Sequence, residues 1–340
     1  MRQAVMTEPE MIEIREVAAP LPGPNEVLVR IRRIGICGSD MHVYHGAHVF
    51  TRYPVVQGHE FSGVVEATGE QVAHLKPGMK VTARPQVVCG ECRPCRRGDY
   101  NICDSLKVQG FQAPGCAQEL FVTAAERIVA LPDTFTFEQG ALVEPVAVAA
   151  HAVRRAGRVD GTNAVVLGAG PIGNLVAQIA RASGANVLIT DVSDFRLEIA
   201  QACGLQNTSN AGRETLADAS RRVWGQDGFD LAFECVGIED TITAAVENIG
   251  KGGTIVAVGV FPEKPRVDMA VIGDRELSLI GTLMYKHEDY LRAVELIGRG
   301  EVVTGPLETK HFPLNDYLSA YRYIIQQAGK CMKVFIDLGD

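Results

Sequence analysis

The chain has no run of roughly 18 apolar residues, the length a helix needs to cross a bilayer, so no membrane span is expected. It also lacks a basic surplus. Its 33 Lys and Arg face 41 Asp and Glu, for a net charge of −8, which argues against a nucleic-acid partner. The arginines between Arg93 and Arg97 form a local exception and read as a solvated loop face. No apolar leader opens the chain: MRQAVMTEPEMIEIREV places acids where a signal peptide needs a hydrophobic segment. Without such a signal, the nine cysteines read as thiols and metal ligands rather than disulfides, and the expected compartment is the cytoplasm. Internal repeats and low-complexity tracts are absent.

A length of 340 residues exceeds one ordinary core and predicts two domains. The first third is β-rich. Glu26 to Ile34 alternates apolar and charged residues, Phe61 to Ala67 and Met79 to Ala83 continue the style, and Pro-Gly or Gly-Pro pairs punctuate them. A compact barrel-like domain follows from that texture. Near Gly140 the texture changes. Ala141 to Ala156 reads as a helix interrupted only by Pro145, and strands then alternate with helices to about Gly281, the pattern of a parallel sheet covered on both faces. After Tyr285 come two further helical stretches and a terminal strand, Met332 to Leu338.

Three clusters carry chemistry. Cys89, Cys92, Cys95 and Cys103 fall within fifteen residues, and four thiolates can close a tetrahedron around Zn²⁺ with no open position. An iron–sulfur cluster is the alternative, disfavoured by the long last spacing and the missing Cys-Pro step. Next, Gly168-Ala-Gly170-Pro171-Ile172-Gly173 follows an apolar strand and opens a helix, with Asp191 ending the next strand. That is the dinucleotide turn: glycines admit the pyrophosphate, the helix N-terminus faces it, and the acid meets the ribose hydroxyls. Asp191 predicts NAD over NADP, and Arg196 could soften the preference. Val258, Gly259 and Val260, at the end of a later strand, are taken as further cofactor-binding positions. Finally, Cys37, His59 and Glu60 are a sparser set that suits a catalytic zinc, with three protein ligands and one open position.

The strings GICGSD (35–40), GHEFSG (58–63), LVEP (142–145) and GAGPIG (168–173), with the four-cysteine loop, resemble the zinc-dependent medium-chain dehydrogenase/reductase superfamily. Within it they resemble the sorbitol/polyol dehydrogenase branch, near L-threonine dehydrogenase. The resemblance covers essentially the whole chain. It implies an α/β protein with a GroES-like β-rich catalytic domain (1–146 and 286–340) and a Rossmann domain with a doubly wound parallel sheet (147–285). It implies one catalytic and one structural Zn²⁺ per chain, NAD, and a homo-oligomer, tetramer or dimer. Cys37, His59 and Glu60 match the catalytic zinc ligands. Glu144 matches an acid that ligates zinc or holds its water and can exchange with Glu60. Ser39 and His42 match a relay that passes the substrate proton toward solvent, and Asp40 matches a carboxylate beside the metal.

The implied reaction moves hydride from a secondary alcohol of a polyol, sugar alcohol or sugar acid to NAD⁺, giving a ketone. Two departures weigh against sorbitol itself: Val43 stands where the branch often has Tyr, and Met284 where it often has Arg. Tyr44, Phe111 and Tyr285 are candidate pocket walls. The alternatives are an L-threonine 3-dehydrogenase-like enzyme, for whose substrate carboxylate no anion site is found, and a non-catalytic cofactor-binding protein, disfavoured by the retained zinc ligands.

Overall fold

The computed structural model describes residues 1–327 and 329–339. The chain divides into two compact units. One comprises residues 1–144, 286–294 and the segment from Glu308 onward; the other comprises 145–285 and 295–307. Residues 295–307 thus belong to the second unit, whereas the resemblance assigns them to the segment returning to the first.

The first unit is built on a seven-stranded sheet whose centre is the strand Glu26–Gly35. Its alternation resolves as expected: Val27, Val29 and Ile31 are fully buried while Arg30 and Arg32 are only half-buried. Each such apolar burial contributes about 1.5–3 kcal/mol. This strand pairs antiparallel with Glu60–Thr68, with Leu120–Ala124 and with the C-terminal strand Lys333–Asp337. The register sets Gly35 opposite both Glu60 and Phe335. A Cβ on Gly35 would meet the Glu60 carboxylate, so glycine here leaves that carboxylate its place. An N-terminal hairpin, Arg2–Glu8 with Met11–Glu16, goes beyond the strands expected from sequence.

In the second unit six strands run parallel. In chain order the central strand, Asn163–Leu167, is flanked on one side by Asn186–Asp191 and then Asn207–Asn210. On the other side lie Leu231–Glu234, Thr254–Ala257 and Ser278–Gly281. That is the 3-2-1-4-5-6 order of the doubly wound dinucleotide fold, with its switch point beside the first strand. The strands are apolar on both faces, as a sheet covered twice requires: Ala164, Val165, Val166, Leu188 and Ile189 have no exposed surface.

The helix Phe137–Arg155 begins earlier than expected and runs through Pro145. Its start is fixed by a capping box: Gln139 N donates to Thr136 Oγ1 at 3.1 Å, and Thr136 N donates to Gln139 Oε1 at 2.9 Å. No helix among the described residues is long and apolar enough to cross a membrane.

Candidate active site

The donor set of the first unit is assembled by sheet register. Cys37 follows the end of the central strand, and Glu60 opens the strand paired with it. His59 and Glu60 are held from the other side, where Cys116 N donates to Gly58 O at 3.0 Å and Ala117 N to Gln57 O at 2.9 Å. Gly58 takes φ +91°, open to glycine, and a Cβ on it would press on Cys116 Sγ at 2.9 Å. The result places one donor atom each of Cys37, His59 and Glu60 within 4.8 Å of one another.

Neighbouring residues fix these donors. Cys37 N donates to Asp40 Oδ2 at 2.9 Å, pinning the loop into the short helix Gly38–Tyr44. The other Asp40 oxygen lies 3.5 Å from His59 Nδ1, a buried atom with no hydrogen-bond partner among the described residues. Burial pulls the His59 pKa down. The Asp40 carboxylate and the Cys37 sulfur push it harder the other way, and the net is well above the usual histidine value. An imidazole held between a carboxylate and a sulfur at a buried site is a place for a cation, and a metal ion would displace that proton. Sulfur, imidazole and carboxylate form a donor set suited to zinc.

Ser39 Oγ lies 3.2 Å from Cys37 Sγ. Ser39 is half-buried and His42 is exposed. Glu144 is buried on its helix. Phe111 packs its ring 5.0 Å from that of His59 and 4.9 Å from that of His48, which places it against the donor set. Tyr44 lies against Tyr321, ring centroids 5.0 Å apart, and Tyr285 and Val43 have no exposed surface.

Two groups at this site carry no motif in the sequence. Lys333 is buried, and its Nζ contacts both carboxylate oxygens of Glu60. Burial lowers the Lys333 pKa, but Glu60, Cys37 and Glu144 outweigh it and the net is upward. Gln57 Nε2 reaches Asp40 O and Oδ1 at 3.4 Å, while its Oε1 accepts from Tyr321 Oη at 2.8 Å. Lys333 and Glu60 lie 273 residues apart in the chain, and Tyr321 and Gln57 lie 264 apart.

The four-cysteine loop closes as expected. Sγ separations of 3.5 Å (Cys89–Cys103), 3.9 Å (Cys92–Cys103) and 4.0 Å (Cys89–Cys95) approach the roughly 3.8 Å edge of a tetrahedron with 2.3 Å Zn–S bonds. Backbone N–H groups of Cys92 and Glu91 pull the Cys89 thiol down to about 7, whereas desolvation and the neighbouring thiols push Cys95 up to about 12. Four thiols this close cannot all ionise without a cation among them.

In the second unit Gly168 takes φ +97°, and Gly173 is required because a Cβ there would strike the Gly168 carbonyl. Gly170 is the N-cap of the helix Pro171–Ala182, with Pro171 at its first turn. Asp191 ties the turn to its own strand end: Oδ2 accepts from Ala169 N at 2.7 Å and Oδ1 from Ser193 N at 2.9 Å. Arg196 Nη1 lies 3.6 Å from Asp191 Oδ2. Val258 N and Gly259 N both donate to Glu234 O at 2.8 Å, and Val260 is exposed. Glu234 belongs to no motif in the sequence. Its buried Oε1 accepts from Val236 N, Gly237 N and Thr241 Oγ1 at 2.7–2.9 Å, tying the turn after the strand Leu231–Glu234.

A GroES-like zinc-site unit and a doubly wound dinucleotide unit define a zinc-binding, nicotinamide-linked dehydrogenase. Residues 23–133 match the alcohol dehydrogenase GroES-like domain, and residues 171–299 match the zinc-binding dehydrogenase family. The chain belongs to the zinc-dependent medium-chain dehydrogenase/reductase superfamily, in its polyol dehydrogenase branch. It is 38% identical over 302 residues to a 2-dehydro-3-deoxy-L-galactonate 5-dehydrogenase of Pseudoalteromonas atlantica, covering 88% of each chain. It is 35% identical to human sorbitol dehydrogenase over 343 residues, covering 99% of this chain and 96% of that one. Galactitol-1-phosphate dehydrogenase from Escherichia coli superposes with a TM-score of 0.91 at 28% identity, covering 99% of this chain and 100% of the other. The protein is an alcohol/polyol dehydrogenase with NAD and zinc as its cofactors.

Proposed function

We propose that this enzyme oxidises a secondary alcohol of a polyol, sugar alcohol or sugar acid to the ketone with NAD⁺, in a zinc-dependent reaction. The observation that carries the reading is the convergence of Cys37, His59 and Glu60 to within 4.8 Å beside a half-buried Ser39. Zinc held by those three residues supplies Lewis acidity toward an alcohol oxygen, and NAD⁺ supplies the hydride acceptor. The chain does the rest. Asp40 orients the His59 ring, and Ser39 Oγ accepts the substrate hydroxyl proton while passing its own on, through the cofactor ribose and His42, toward solvent. Glu144 serves as the alternate carboxylate of the site. With Cys37 and one or two carboxylates as ligands, a bound zinc would carry a reduced effective charge, which would suit a vicinal diol as substrate. Relatives named for sorbitol and for a deoxy-galactonate support the polyol and sugar-acid classes.

The test is a panel with zinc-loaded enzyme, followed by NADH absorbance. It spans sorbitol, xylitol, galactitol, erythritol, inositols, aldonates, L-threonine, 2,3-butanediol and ethanol. Selective NAD⁺ reduction by polyols or aldonates, lost on chelation, is the expected result. Activity with L-threonine or ethanol alone refutes the substrate class.

The reading also assigns Asp191 to the adenosine ribose. A 2′-phosphate would meet a carboxylate already fixed by two backbone N–H groups. Asp191→Ala is expected to raise KM for NAD⁺ and to narrow the NAD⁺/NADP⁺ ratio of kcat/KM by at least about tenfold, roughly 1.4 kcal/mol. Loss of the carboxylate also releases Arg196, whose buried Nε has no hydrogen-bond partner among the described residues, to meet a phosphate. An unchanged ratio removes Asp191 from that role.

A further inference from the structure

The terminal strand delivers a cation into the anionic donor set. Lys333 is 3% exposed, yet its ammonium touches both Glu60 oxygens and lies 3.5 Å from Ile36 O. Its position is fixed by the sheet: Ile36 N donates to Val334 O at 3.0 Å, and Phe335 pairs with Gly35. The groups that act on Lys333 electrostatically are Glu60, Cys37 and Glu144, two of which are donors that zinc would share. A buried ammonium without a partner is strongly unfavourable, and so is a buried carboxylate. Glu60 therefore has two cations available to it, one belonging to the protein.

We propose that Lys333 is a positioning residue that competes with the catalytic metal for the Glu60 carboxylate and so keeps Glu60 a releasable ligand. The inference rests on the zinc reading of the three-donor site. When Glu60 leaves the metal, Lys333 receives it, and no unpaired buried carboxylate is created. Without Lys333, Glu60 has only the metal to neutralise it and stays there. Repulsion between the ammonium and a divalent ion acts in the same direction. Removing the lysine should then tighten the site. Outer-shell partners usually sustain metal affinity by about tenfold to a hundredfold; the sign inverts here because this partner is itself a cation.

The experiment is chelator-driven zinc release from the fully loaded enzyme, read with a chromophoric chelator, with the four-cysteine zinc as internal reference. Lys333→Met is expected to slow release of the catalytic zinc by at least about tenfold and to leave the other zinc unchanged. A merely damaged site would release its zinc faster. In a Glu60→Gln background the added Lys333→Met change should have far less effect, because the carboxylate under competition is gone. Lys333→Gln, which retains a polar donor, carries the same expectation if the methionine variant misfolds. Faster or unchanged release overturns the proposal, and so does an effect undiminished in the Glu60→Gln background, which would leave only charge repulsion. A wild-type enzyme that binds zinc at the four-cysteine loop alone overturns the three-donor site itself, and the inference with it.

Discussion

Cys37→Ser is expected to abolish turnover while leaving the protein folded and able to bind NAD⁺. Cys37 supplies the only sulfur of the three-donor group, and its backbone is fixed independently by the bond from Cys37 N to Asp40. A hydroxyl at that position neither ionises near neutral pH nor matches zinc as thiolate does. Loss of the metal removes several kcal/mol of charge stabilisation, so kcat/KM should fall by more than about 10³-fold. The dinucleotide turn, Asp191 and Glu234 all belong to the other compact unit and do not involve Cys37. NAD⁺ titration by fluorescence should therefore be nearly unchanged, and metal analysis should fall from two zinc per chain to one. Wild-type turnover in this variant would overturn the zinc assignment. Loss of NAD⁺ binding with it would mean the substitution had unfolded the chain.

What was legible in the sequence was what is local. Gly168 to Gly173, the four cysteines and the GICGSD string each carry their logic within about fifteen residues, and the structure draws each together as a unit. Cys37 and Glu60 are 23 residues apart and meet only through strand register, yet each stands in a short string whose resemblance could be recognised. Lys333, Gln57 and Tyr321 have no such string. Their roles exist only because the C-terminal strand returns to pair with the central strand and the helix Tyr317–Gln327 brings Tyr321 to Gln57, an arrangement that no local pattern encodes. One signal was available: Lys333 is the charge that opens an apolar strand otherwise fit for full burial, and such a lysine demands a partner. Glu234 gave a similar sign, a carboxylate closing the buried run Leu-Ala-Phe. The helix through Pro145 shows the reverse case. A local breaker was overridden by the capping box at Thr136 and by the burial of Ala141, Leu142 and Val143.

Cys103→Ser should give the opposite phenotype from Cys37→Ser, in which structure fails first. The segment from Cys89 to Cys103 has almost no core of its own: only Asn101 and Cys103 are buried within it, and Ile102 is 43% exposed. Its regular structure is one helix of four residues and a single 3₁₀ turn. Outside the thiols its ties include Lys286 Nζ to Asp99 at 2.9 Å, His287 N to the Tyr100 hydroxyl at 2.5 Å, and Arg84, which reaches that hydroxyl at 3.4 Å and lies 5.6 Å over the Tyr100 ring. Such surface contacts contribute about 1 kcal/mol each, far short of the entropy of ordering fifteen residues. A structural zinc contributes on the order of 10 kcal/mol in small metal-held domains, so the ion is the main reason the loop has a shape. Cys103 is the buried member and accepts from Cys89 N at 3.4 Å, so its loss opens the tetrahedron from inside. Trypsin should then cut after Arg96 or Arg97, both exposed, at least about tenfold faster than in the wild type, since cleavage tracks the population of the open form. Zinc content should fall by one while the Cys37 site keeps its ion. Unchanged proteolysis would show that Cys103 is dispensable to the loop, and that its other contacts suffice to hold it.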